Sequence, residues 1–137
     1  MAGHQRLLLL AAGGGLLLLL VVAAWLTPDP RGLGTHQRLG LPPCSFLQLT
    51  GWRCPSCGMT TSWSYLVRGQ IGSSLRANAG GMLLGLICLV MVPWSLISGL
   101  RGRWLVAPGP AAVLAMMMVL VAVTLVDWLV RFFLVPP

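Results

Sequence analysis

Residues 7–26 read LLLLAAGGGLLLLLVVAAWL, twenty positions without a charge. As a helix such a run covers roughly 30 Å, the thickness of a bilayer's hydrocarbon core. His4 and Arg6 precede it and would suit the charged end of a cleaved signal peptide. The apolar core of a signal peptide is usually about 7–15 residues, shorter than this run, so a retained helix is expected. Two further apolar runs follow, at about Ala79–Ser98 and Ala111–Val130. Trp25, Trp94, Trp104 and Trp128 fall at or just outside the run ends, where amphipathic rings favour the membrane interface. The expected fold is an all-α membrane protein, one domain over residues 1–137. It has about three transmembrane helices and one short amphipathic interfacial helix.

Composition agrees. The chain is 57% hydrophobic and 8% charged, against roughly 25% charged in a soluble domain. Net charge is +7, and every one of the nine basic residues is Arg. Scattered singly and in pairs beside apolar runs, they form no basic face, which excludes nucleic acid and leaves the bilayer as partner. There is no Glu and there are only two Asp. No carboxylate pair, general base or nucleophile–histidine set is visible, so a non-enzymatic protein is favoured.

Residues 27–76 form the long polar connection. Thr27-Pro28-Asp29-Pro30 should stop the first helix, because a residue before proline is pushed out of helical geometry. Ser45 to Thr50 can hold one helical turn. Met59, Trp63, Leu66 and Val67 recur at helical spacing, with Thr60, Thr61, Ser64 and Arg68 around the other face. Gly69 is placed to end that helix. It is too short to span and is expected to lie at the interface.

The chemistry concentrates in the same connection. Cys44 is followed by nine residues and then Cys54-Pro55-Ser56-Cys57-Gly58. A Cys-x-x-Cys turn aims two sulfurs at one centre and is half of a zinc knuckle. Cys44 is the natural third ligand and His36 the nearby fourth, giving Cys₃His with zinc as the cofactor. The same pair before a helix also suits thiol–disulfide exchange, with Cys57 favoured as thiolate by the helix start. A structural disulfide from Cys44 to Cys54 or Cys57 is the third reading. Cys88, in mid-run, reads as a small buried hydrophobe.

Within the apolar runs, Ala77, Gly81 and Gly85 make a stripe of small residues for close helix packing, with Gly13, Gly14 and Gly15 as the expected opposing surface. Pro93 should kink the second span. Asp127 lies in the last turn of the third span with Arg131 four residues on, an ion pair on one face.

Pro43-Cys44, Thr50-Gly51, Cys54-Pro55-Ser56-Cys57-Gly58-Met59-Thr60, Arg68-Gly69 and Asn78 resemble the bacterial membrane family called domain of unknown function 2752. The resemblance covers about residues 41 to 90. The family usually has Arg where this chain has Thr61, and Asn-Pro where it has Asn78-Ala79. The missing proline implies a smoother start to the second span. The resemblance implies a small multi-pass protein of the bacterial inner membrane and no established activity.

Charge near the first span favours an inside N-terminus, which puts the cysteine loop outside. Three roles follow: a membrane protein whose CPxCG loop is a structural, metal-bound or docking element; a membrane thiol oxidoreductase using Cys54 and Cys57; or an accessory subunit of a membrane complex, with a homo-oligomer as the simplest such assembly.

Overall fold

A computed structural model describes residues 2–134. Among them the chain forms α1 (Gly3–Trp25), a 3-10 turn (Thr35–Leu39), α2 (Ser45–Thr50), α3 (Met59–Leu66), α4 (Ile71–Ala77), α5 (Ala79–Arg101) and α6 (Pro110–Leu134). The expected all-α membrane architecture is present. Helices α1, α5 and α6 are long and apolar enough to cross a bilayer, and the rest are shorter.

Helices α1 and α5 run antiparallel in close contact. A Cβ at Gly13 would stand 2.5 Å from the Ser95 hydroxyl, and one at Gly99 would stand 2.8 Å from Leu10. Beyond Gly13 and Ser95, towards the end of α1 and the start of α5, Leu20, Cys88 and Val92 form the buried apolar cluster. Cys88 is thus a packing residue. Helix α5 continues through Pro93 with no break in its assignment. Helix α6 lies on the outside of α5, touching it where Gly80 meets Thr124, and none of its described residues is buried.

The end of α1, the start of α5 and the end of α6 meet at one face. Helices α2, α3 and α4 fold over that face. Leu26 is already extended, one residue ahead of Thr27, whose geometry Pro28 restricts. Gly58, at φ 86°, turns the chain into α3. A Cβ there would lie 2.5 Å from the Gly32 carbonyl oxygen and 2.6 Å from that of Ala77, so both backbone freedom and absent bulk are required. Gly69, at φ 73°, ends the α3 turn as expected.

Three details differ from the sequence expectations. First, the polar side of α3 is turned inward: Thr61, Ser62 and Ser64 are fully buried. The cause is the unpaired carbonyls of neighbouring helix ends. The Ser64 hydroxyl donates to Leu26 O at 2.5 Å, and the Ser62 hydroxyl donates to Asn78 O at 3.0 Å and Ser74 O at 2.9 Å. The Thr61 and Thr35 hydroxyls pair at 2.7 Å. Arg68 closes the end of α1, donating to Ala24 O at 2.7 Å. Each such bond contributes about 0.5–1.5 kcal/mol net, and leaving a buried partner unmade costs more.

Second, the stripe at Gly81 and Gly85 opposes α3, not the glycines of α1. Gly85 lies under Leu66 and Trp63, Gly81 under Met59, and the Trp63 indole donates to Gly81 O at 2.8 Å. Gly14 and Gly15 face open space. Third, α5 does not start smoothly. Asn78 is extended at φ −167° and ψ 110°, which separates α4 from α5 even without the proline. Its side chain replaces the lost helical bond by accepting from Gly81 N–H at 2.6 Å.

Candidate metal centre

Cys44 is the residue that leads into α2, and the Cys54–Cys57 turn leads into α3. These two starts bring three thiols together. The Cys44 and Cys54 sulfurs are 3.5 Å apart, and those of Cys54 and Cys57 are 3.2 Å apart. All three lie within 4.8 Å of one another. They line a cavity of about 160 Å³ with His36, Met59 and Thr60 on its wall. All three are free thiols. His36 stands at the rim, with Nε2 3.3 Å from the Pro42 carbonyl oxygen. Of the four expected ligands, the donor atoms that converge are the three sulfurs.

The turn is held from behind by its own carbonyls. Asn78 Nδ2 donates to Pro55 O at 2.9 Å and to Cys57 O at 3.1 Å. The Trp128 indole donates to Arg53 O at 2.8 Å. Arg131 Nη1 donates to Cys57 O at 3.3 Å and to Ala77 O at 3.1 Å. Arg131 is itself bound to the Asp127 carboxylate, which also accepts from Ala79 N–H at 3.3 Å. The ion pair therefore does more than neutralise two charges. It fastens the end of α6 to the start of α5 and to the cysteine turn. Among the described residues no buried side-chain polar atom lacks a partner.

The thiols are not equivalent. Backbone hydrogen bonds, Leu47's foremost, lower the pKa of Cys44. Burial, with a hydrogen bond from Cys54 second, pushes the Cys57 thiol up to about 12. The expectation that the start of α3 would favour a Cys57 thiolate fails, because Cys57 sits before the Gly58 turn and is buried. The more acidic thiol is the one at α2.

Sequence reading missed Asn78 and Trp128 as supports and gave Arg131 only its ion pair. An amide residue immediately before an apolar run is a capping signal, and that much was available at Asn78. No local pattern marks Trp128 as a donor to a carbonyl 75 positions away.

Residues 44–92 match the model of a family described as protein of unknown function (DUF2752). This is the family that the cysteine motif resembles. The matched segment begins at Cys44 and takes in all three thiols, α3, Asn78 and the first part of α5. Helices α1 and α6 lie outside it, so Trp128 and Arg131 are supports added from beyond the family segment. No curated protein and no solved structure matches the chain.

Proposed function

We propose that this protein presents a three-thiolate site for a soft divalent cation, zinc by its donor chemistry, at one face of a bilayer. The observation that carries the reading is the convergence of the Cys44, Cys54 and Cys57 sulfurs within 4.8 Å. Tetrahedral zinc with sulfurs at about 2.3 Å spaces them about 3.8 Å apart. The pairs at 3.2 and 3.5 Å are within a small side-chain adjustment of that spacing. The carbonyl clamps from Asn78, Trp128 and Arg131 supply the outer support that metal ligands need to keep their orientation. A bound metal would keep the thiols deprotonated despite the burial of Cys57. The fourth position would be filled by His36, which lines the same cavity, or by a group from a docked partner.

The family resemblance implies the bacterial inner membrane, and the charges flanking the first span support an inside N-terminus with the thiols on the outer face. Metal binding would there protect the thiols from oxidation. Thiol exchange through Cys54 and Cys57 is less well supported, because a buried Cys57 with its pKa near 12 is a poor thiolate.

Elemental analysis with thiol counting on protein purified in mild detergent tests the reading. One zinc per chain is expected, with three thiols that become reactive only after chelation, and Cys44→Ser should lose the metal. A metal-free protein whose Cys54 and Cys57 interconvert with small disulfides would replace this reading with the oxidoreductase.

A further inference from the structure

We infer that the same membrane face carries a second site, a pocket for a phosphoryl anion built from Arg31, Arg53 and Arg76. These residues line a concave space of about 240 Å³ together with Tyr65, Ser73 and the backbone of Gly32. Three arginines thus border one space, Arg53 half-buried and Arg31 and Arg76 exposed. The only side-chain carboxylates in the chain are Asp29 and Asp127. Asp29 holds Arg31 at 2.7 Å, and Asp127 is taken by Arg131. No side-chain carboxylate remains for Arg53 or Arg76.

Two of the three arginines are also positioned, and Arg76 is exposed beside them. Asp29 grips Arg31 through both Nε, at 3.0 Å, and Nη2. Arg53 Nη2 reaches back to the Arg31 carbonyl oxygen at 3.4 Å. Tyr65 and Ser73 line the same wall, with the Tyr65 hydroxyl 3.5 Å from the Asp29 carbonyl oxygen. N–H donors from three arginines suit a phosphate better than a planar carboxylate, since a phosphate offers three oxygens in different directions.

Location says where the anion comes from. Pro30, Arg31 and Gly32 follow the end of α1 by a few positions, and Arg76 and Ala77 come just before α5, so the pocket borders the ends of two apolar helices. Trp25 is 79% exposed at the end of α1, as an interfacial ring should be. A lipid headgroup phosphate occupies this depth. A soluble phosphate or pyrophosphate carries the same chemistry and can reach the pocket from water.

The test uses the full chain in nanodiscs. In one arm the discs contain phosphatidylcholine with 20% phosphatidylglycerol as a roughly chosen mole fraction, and co-purified lipid is counted by native mass spectrometry after detergent transfer. In the other arm the protein sits in a neutral detergent and is titrated with inorganic phosphate and pyrophosphate. The variant pair Arg53→Gln with Arg76→Gln is compared with Arg103→Gln, whose side chain lies in the loop at the opposite face. Each interfacial arginine contributes about fivefold, so the pair should weaken binding about twenty-five-fold, while Arg103→Gln changes it less than twofold. Retained phosphatidylglycerol lost in the pair identifies a headgroup site. Pyrophosphate binding lost in the pair, with no retained lipid, identifies a soluble anion at the same site. Lipid retained equally by all three proteins, or no anion bound in either arm, overturns the site. An unchanged unfolding temperature in the pair shows that lost binding is not lost folding.

Discussion

At the scale of single residues, Asn78 carries the most. It is fully buried and makes three hydrogen bonds, to Pro55 O, Cys57 O and Gly81 N–H. Asn78→Ala leaves Pro55 O and Gly81 N–H without a partner and Cys57 O with Arg131 alone, and should cost on the order of 3 kcal/mol, read as a lower unfolding temperature in detergent. An unchanged temperature would mean that water replaces the amide. Gly58→Ala should be at least as damaging. It adds a Cβ against two carbonyl oxygens and strains a left-handed backbone by roughly 1–2 kcal/mol before any clash. Cys57 gives a pH signature in the metal-free protein. Burial favours its neutral form and raises its pKa from 9.0 to about 12. The stability this brings is fully present below about pH 9 and is lost as pH climbs from 9 towards 12. Over the same range Cys44 should alkylate before Cys57, and mass spectrometry of partly labelled protein reads that order. Labelling of Cys57 first would contradict the burial.

At the scale of helices, the glycines sort by what faces them. Gly81→Leu and Gly85→Leu push α5 away from α3 and should each cost about 1–3 kcal/mol. Gly14→Leu, on an open surface, should leave stability within about 0.5 kcal/mol. Equal effects at all three positions would remove α3 as the opposing surface. This contrast also separates what the sequence makes legible from what it does not. The spans at 7–26, 79–98 and 111–130 are readable because bilayer burial depends on each segment's own hydropathy. The convergence of Cys44 with Cys54 and Cys57 is readable because short spacing and proline leave little freedom. The inward polar side of α3 is not readable from its own residues. Ser64 and Ser62 are buried by carbonyls at Leu26 and Ser74, and nothing local announces those partners. The break at Asn78 is hidden for the same reason, since it answers to the cysteine turn as much as to α5.

At the scale of the whole molecule, the thiol site is a joint product of helices far apart in the chain. Arg131→Gln removes a donor from Cys57 O and Ala77 O and frees Asp127. Loss of such outer support typically weakens metal binding roughly 10–100-fold. Competition with a chromophoric chelator should show that loss in Arg131→Gln and not in Arg6→Gln, at the far end of α1. Unaltered competition would make α6 a lipid-facing ornament to a self-sufficient turn. The clamp also sets a timetable. Cys57 and Arg131 are 74 positions apart, which at about 5–20 residues per second separates their synthesis by about 4–15 s. During that interval the turn has left the ribosome without its last two fasteners. Nascent chains stalled at residue 110 should therefore take up maleimide at Cys57 faster than released full-length protein. On that outcome the third span is the latch that ends maturation, and the window before it closes is when an oxidant, a metal donor or an insertion factor would meet these thiols at their most open.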